Sequence, residues 1–273
     1  MQTVMAKDAK IPVLGLGTWP MHGQACVRAV AEALKLGYRH IDTAQMYGNE
    51  AEVGAGVAAS GIPRDEVFIT TKVQRESISA KRMPRTVEES VRSLGVDHVD
   101  LLLIHWPNPS VPIAESMGVL SEMKRRGLAR HIGVSNYTAA LLDEAVRTSP
   151  VPIVVNQIEY HPFVDQSKLL AAIRRHGLAA TAYTPLAHGR VVGNKVIEDI
   201  ASAHGKTAVQ VTLRWLIQQG DVIAIPKSSR VERLKENLGI FDFALSPEEM
   251  TRIHRLGGDR HIINDRGSVG RWD

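Results

Sequence analysis

Val99-Asp100-Leu101-Leu102-Leu103-Ile104-His105-Trp106-Pro107 is an apolar run of strand length that ends abruptly in polar and aromatic residues. It does not alternate between apolar and polar positions. A strand of this kind is covered on both faces, as in a parallel sheet packed between helices. Similar β-branched or apolar runs recur on both sides of it, at 12–17, 40–42, 67–72, 131–135, 153–158, 179–184 and 222–226. Stretches of helical period lie between them. The first carries Val27, Val30, Ala31 and Leu34 on one face, with Gly37 placed to end it. Others start at about 49 or span 86–94, 114–126, 139–146, 167–176, 195–203, 209–218, 231–238 and 247–256, the last with Ser246 as its N-cap.

Eight strand signals alternating with helices over 273 residues predict an α/β fold. The size suits a (β/α)8 TIM barrel with two extra helices, one before the eighth strand and one after the eighth unit. No Ser/Gly-rich or Pro-rich linker interrupts the chain, so one domain is expected over 1–273. A doubly wound sheet is the competing architecture. It would carry G-x-G-x-x-G at its first turn, but Gly15-Leu16-Gly17-Thr18-Trp19-Pro20 has proline in place of the third glycine.

Composition narrows the function classes. Hydrophobic residues make up 44% of the chain, which suits a globular protein. No run approaches the roughly 18 apolar residues of a membrane helix, and 1–10 has no apolar signal core. Cys26 is the single cysteine, so an internal disulfide and a Cys-based zinc site are excluded. A cytoplasmic protein is expected. The net charge of +4 is spread along the chain and does not argue for nucleic acid. Neither H-x-H nor H-E-x-x-H occurs, so no metal site is expected.

In a barrel the active site collects at the C-terminal ends of the strands. Those ends carry Asp42 and nearby Tyr47, then Lys72, His105-Trp106, Ser135-Asn136, Gln157, Tyr183-Thr184-Pro185-Leu186 and Lys227-Ser228-Ser229. Each alone is open to a packing role. Together, an Asp–Lys pair close to a phenol has a specific use: a neighbouring ammonium lowers the pKa of tyrosine and makes it a proton donor near neutrality. His105 is placed to orient a carbonyl oxygen.

These motifs resemble the aldo-keto reductases over nearly the whole chain. The matching stretches are Gly15-Leu16-Gly17-Thr18-Trp19, Gly37-Tyr38-Arg39-His40-Ile41-Asp42-Thr43-Ala44 with Tyr47, and Thr71-Lys72. They continue in the quoted 99–107 run, Gly133-Val134-Ser135-Asn136, Asn156-Gln157-Ile158-Glu159 and Ile225-Pro226-Lys227-Ser228. Asp259-Arg260 and terminal Trp272-Asp273 are most similar to the bacterial 2,5-diketo-gluconate reductase branch.

The resemblance implies reduction of carbonyls with NADPH by a tetrad of Tyr47, Asp42, Lys72 and His105. It puts Ser135, Asn136 and Gln157 on the nicotinamide carboxamide and stacks Tyr183 on the ring. Lys227, Ser228, Arg233, Glu236 and Asn237 fall at the adenosine end, with Gly17, Thr18, Pro185, Leu186 and Ser229 also along the cofactor. Trp19, Met46 and Trp106 are expected to face substrate. Two departures stand out: Thr184 replaces a common serine, and segment 187–193 is short for a loop that folds over the pyrophosphate. Because the tail after Leu256 contains a single aromatic, Trp272, small polar or acidic dicarbonyls are expected over steroids. His22, Arg260 and Arg266 are candidates to approach an anionic substrate. No nucleic acid, membrane or second subunit is expected. The alternatives are a cofactor-binding regulatory or structural protein on the same fold, and a barrel metallohydrolase, for which ligands are lacking.

Overall fold

The computed structural model describes residues 1–259 and 261–263. The chain opens with an antiparallel hairpin, β1 (Thr3–Ala6) and β2 (Ala9–Pro12). Eight strands then form one parallel sheet in chain order. They are β3 (Leu16–Gly17), β4 (His40–Asp42), β5 (Phe68–Val73), β6 (Val99–Ile104), β7 (Ala129–Ser135), β8 (Ile153–Glu159), β9 (Ala179–Tyr183) and β10 (Val222–Ala224). A parallel bridge from Leu14 to Ala224 closes the sheet on itself. Gly15 N–H donates to Ala224 O at 2.9 Å, and Ala224 N–H donates to Val13 O at 2.9 Å. The result is a (β/α)8 barrel.

Helices α1 (Gly23–Lys35), α2 (Glu50–Ser60), α3 (Met83–Leu94), α4 (Ile113–Arg125), α5 (Ala139–Thr148) and α6 (Ser167–Arg175) each follow one barrel strand. Two helices, α7 (Lys195–His204) and α8 (Ala208–Ile217), separate β9 from β10. After β10 come α9 (Val231–Leu238) and α10 (Pro247–His254). The two additional helices therefore lie where the sequence puts them. Ser246 caps α10 in a full capping box with Glu249, which satisfies two otherwise orphaned backbone donors.

The long strands are buried on both faces: all six residues of β6 and all seven of β8 are buried. The one architectural departure is at the start. The expected strand at 12–17 is in fact the end of the hairpin plus a two-residue barrel strand. In the hairpin Val4, Ala6, Ala9 and Ile11 point inward while Thr3, Met5 and Lys10 face solvent, a period-two pattern over short arms. Its turn residue Asp8 meets Lys124 at 3.7 Å and His131 at 3.4 Å. Lys124 stands in the last turn of α4 and His131 in the N-terminal half of β7, so the hairpin lies across the N-terminal end of the barrel.

Close strand approach fixes the register that delivers the site. A Cβ added to Gly133 in β7 would stand 2.6 Å from Val155 O and 2.8 Å from Leu103 Cδ2. Gly133→Ala is therefore expected to cost about 1–3 kcal/mol by overpacking. Urea unfolding should show a lower midpoint with an unchanged slope, and an unmoved midpoint would refute the close approach.

Candidate active site

Three strand ends on one side of the barrel build the polar centre. Lys72, the fifth residue of β5, is fully buried. A buried ammonium needs its three donors satisfied. Lys72 Nζ donates to Asp42 Oδ1 at 2.5 Å, to Thr43 O at 2.6 Å and to the Tyr47 hydroxyl at 3.3 Å. Tyr47 arrives on a single 3₁₀ turn, Gln45–Tyr47, which Gly48 ends in the left-handed region at φ 62°. That turn is fixed from both sides. Gln45 accepts from Gln74 N–H at 3.1 Å and donates to Ser90 Oγ at 3.0 Å. Buried Asn49 accepts from Thr43 Oγ1 at 2.6 Å and donates to Thr18 O and Met21 O at 3.2 and 2.9 Å. The loops after β3 and β4 are thereby tied together.

His105, just past β6, stands with its ring edge toward Tyr47, centroids 5.6 Å apart. Its buried Nδ1 has no hydrogen-bond partner among the described residues. Burial, and secondarily the charge of Lys72, push its pKa well below the usual histidine value. It is a neutral imidazole at pH 7. Tyr47 behaves differently from the sequence expectation. Burial pushes its pKa up, and the opposing pull of Lys72 does not overcome this. The ammonium favours phenolate, as anticipated, but removal from water weighs more. Tyr47 thus keeps its proton at neutral pH. Lys72 remains charged because Asp42 and Tyr47 outweigh the effect of its burial.

A second group meets the first across the barrel. Gln157 of β8 donates to Asp42 Oδ2 at 2.7 Å. Asn136 lies beyond the end of β7 at φ 62°, a conformation asparagine tolerates better than most residues. Its amide nitrogen donates to His105 O and Ser135 Oγ, both at 3.0 Å, and its oxygen accepts from the Tyr183 hydroxyl at 2.6 Å. Asp42, Tyr47, Lys72, His105, Ser135, Asn136, Gln157 and Tyr183 are thus brought into one hydrogen-bonded and packed assembly. Trp19 and Met46 stand at its rim, 51% and 58% exposed, while Trp106 is buried. Thr18 is held through Oγ1 to Asp42 O at 3.0 Å. Gly17 passes so close to the chain after β10 that a Cβ would lie 2.7 Å from Ile225 O.

The remaining residues lie along the rim from β9 to α9. Pro185, Leu186 and Thr184 follow Tyr183, and segment 187–193 forms a tight turn with Ala187 and His188 at positive φ. A cavity of about 280 Å³ opens there, lined by His161, Phe163, Arg190, Val192, Asn194 and Ile262 among others. Beyond β10, Ser228 Oγ accepts from Arg230 N–H at 3.1 Å and turns the chain into α9. Lys227, Ser229 and Arg233 are exposed there. No ion pair joins Lys227, Arg230 or Arg233 to a described carboxylate, in contrast to Arg174 with Asp221 at 2.7 Å. Glu236 accepts from Thr207 Oγ1 at 2.6 Å, and Asn237 is buried beside Tyr38.

His22 is exposed at the start of α1 without a capping bond. Arg260, Arg266, Trp272 and Asp273 lie outside the described residues. Cys26 is fully buried in α1, and burial pushes its thiol up to about 11. Among the described residues no group of three His, Cys, Asp or Glu is arranged to hold a metal, and no helix is long and apolar enough to cross a membrane. One polar residue given no role from sequence, Glu159, closes β8 fully buried. An acid two positions after Gln157 on an otherwise apolar strand was the available signal.

Comparison with known proteins gives one consistent answer. The model of the Aldo/keto reductase family matches residues 13–257. Methylglyoxal reductase DkgB of Escherichia coli O157:H7 is 40% identical over 266 residues, 96% of this chain and 99% of that one. An aldo-keto reductase of Mycolicibacterium vanbaalenii is 41% identical over 254 residues, 93% of this chain and 91% of the other. A crystal structure provisionally named a 2,5-diketo-D-gluconic acid reductase B superposes with a TM-score of 0.98 at 48% identity, covering 100% of this chain and 98% of that one. The Bombyx mori aldo-keto reductase in complex with NADP gives 0.89 at 33% identity, over 97% and 95% of the two chains.

The electrostatics of the site are open to direct measurement. Burial pushes down His40 as well as His105. The unfolded chain takes up protons near pH 6.5 that the folded chain refuses, so stability should fall as pH drops below that value. The ¹⁵N shifts of His105 should report a neutral ring at pH 6. An imidazolium signal there would contradict the burial argument.

Proposed function

Because this chain belongs to the aldo/keto reductase family, we propose that it reduces the carbonyl groups of small aldehydes, ketones and dicarbonyls to alcohols with NADPH. The observation that carries this reading is the Tyr47 hydroxyl, 3.3 Å from an ammonium whose other two bonds are made to Asp42 and Thr43. NADPH, when bound, supplies the hydride. Tyr47 gives its proton to the carbonyl oxygen as negative charge grows there. Lys72 stabilises the phenolate left behind, and Asp42 holds Lys72 in place. His105, neutral and with its buried Nδ1 unpartnered among the described residues, turns its ring N–H to the same oxygen. An acid that stays protonated until charge develops beside it suits this task.

The residues present fit the cofactor by their chemistry. Ser135, Asn136 and Gln157 offer hydroxyl and amide groups of the kind a carboxamide pairs with, and Tyr183 supplies a ring face. Lys227, Arg230 and Arg233, unpaired around the N-terminal turn of α9, suit a 2′-phosphate, to which the helix terminus adds favourable potential. Gly17, Thr18, Pro185, Leu186 and Ser229 would line the path between these ends. The substrate class follows from an open rim of Trp19 and Met46 over a polar floor. That favours small dicarbonyls, in keeping with the methylglyoxal named for the Escherichia coli relative, and diketo-sugar acids.

Two variants test the reading. Tyr47→Phe should retain NADPH binding, measured by fluorescence quenching, and lose carbonyl reduction on the order of 10²-fold or more. Wild-type turnover in that variant would remove Tyr47 from the acid role. Charge-assisted bonds to a phosphate contribute about 1.5–3 kcal/mol each. Arg233→Ala should therefore weaken NADPH at least about tenfold while leaving NADH nearly unchanged; equal losses would make Arg233 structural.

A further inference from the structure

We propose that Asn49 is a positioning residue that fixes the turn carrying Trp19 against the turn carrying Tyr47 and so sets how firmly substrate is held within reach of the acid. The inference rests on the reductase reading above, but the tie itself is independent of it. Asn49 follows the 3₁₀ turn of Tyr47 and immediately precedes α2. An asparagine in that place ordinarily caps the helix by accepting from its first backbone amides. Here the side chain makes no such bond, and it is wholly buried. Its bonds run to other segments instead. Oδ1 accepts from Thr43 Oγ1 at 2.6 Å, and Nδ2 donates to Thr18 O at 3.2 Å and to Met21 O at 2.9 Å. Both hydrogens of the amide are thereby spent on one four-residue turn.

That turn bears part of the rim. Met21 N–H donates to Thr18 O at 2.7 Å, which closes the turn over Trp19 and Pro20. Trp19 stands on it half exposed. At the start of the turn Thr18 is bonded twice to Asp42 O, through its amide at 3.1 Å and its hydroxyl at 3.0 Å. At the end Met21 O meets Asn49. Two residues further on, Gly23 N–H reaches Glu52 Oε1 at 3.2 Å, but that bond is open to solvent. The Asn49 amide is thus the buried link between the far end of the turn and the loop of Tyr47. The bonds of the polar centre do not pass through it. Lys72 meets Asp42, Thr43 O and Tyr47, and Gln157 meets Asp42, without Asn49 as an intermediary. Loss of the amide should therefore free the rim while the acid stays in place. A contact that favours ground state and transition state alike moves KM and leaves kcat unchanged.

The test uses the full-length protein with saturating NADPH. Asn49→Ala should raise KM for methylglyoxal about tenfold or more, with kcat and the dissociation constant of NADPH each within about threefold. Hydrogen exchange at the Met21 amide should quicken at least about tenfold while β5 stays protected. Asn49→Asp adds a readout that a merely structural role would not move. Its carboxyl, out of water and facing two carbonyl oxygens, favours the protonated form, which keeps the acceptor for Thr43 and one donor for the turn. KM of this variant should therefore climb about fivefold or more between pH 6 and pH 8.5, beyond any change in the wild type, as that proton is lost. Asn49→Asp at pH 6 also keeps the test decidable if Asn49→Ala fails to fold. A lower kcat at unchanged KM, the mark of a smaller folded fraction, overturns the role. So does an NADPH affinity that falls as far as that for methylglyoxal, or a KM for Asn49→Asp that follows the wild type at both pH values. Unchanged exchange at Met21 in Asn49→Ala overturns the tie. If the wild-type enzyme oxidises no NADPH with any carbonyl compound, the reductase reading and the role in substrate placement fail together, and the exchange data still decide the tie.

Discussion

A lysine ammonium with no access to water sits at the centre of this molecule, and the architecture around it is arranged to make that tolerable. Removing such an ion from solvent costs several kcal/mol, and an unpaired charge there would cost more than most single interactions return. Lys72 is satisfied by a carboxylate, a backbone carbonyl and a phenol, one from β4 and two from the loop that follows it. The second oxygen of Asp42 is taken by Gln157 from the far side of the barrel. Strands β4, β5 and β8 are therefore bound together through their active-site ends. A shift of β5 by one residue would turn Lys72 to the opposite face, because side chains alternate along a strand. The register set by close contacts such as that at Gly133 is thus also the condition for a neutralised centre.

The tetrad shows how much a linear pattern can reveal. Eight apolar runs, each ending in polar residues, identify a barrel and its working rim, because the C-terminal end of every strand faces the same way. The N-terminal hairpin escaped this reading. Its arms alternate over four residues each, and Pro12 links it directly to the short stretch that enters the barrel. The direction of the Tyr47 shift was also beyond reach. The sequence displays the neighbouring charge, but not how much water the folded surroundings take from the hydroxyl. The pairing of Glu159 was not visible, since two of its partners are backbone amides, which every residue has, and they lie about a hundred positions away. Only coordinates distinguish Arg174, paired with Asp221, from Lys227 and Arg233, which meet no described carboxylate.

Rigid and adjustable parts are separated along the barrel axis. The polar centre is held by buried bonds between strands. Trp19 and Met46 stand open on loops, and the segment near Ile262 is attached through a few hydrogen bonds. Loops on a stable scaffold can change without disturbing the charges beneath them. A scaffold of this kind can keep a buried polar centre intact while the loops above it change.

The hairpin formed by β1 and β2 has a geometric consequence. With Asp8 fastened near β7 and Val4, Ala6, Ala9 and Ile11 turned inward, the cylinder is stoppered at its N-terminal end. The polar centre is then approached from the strand-end side, where Trp19 and Met46 stand exposed. On the reductase reading, cofactor and substrate would share that approach, and the first twelve residues of the chain would impose an order on their traffic from the opposite end of the barrel.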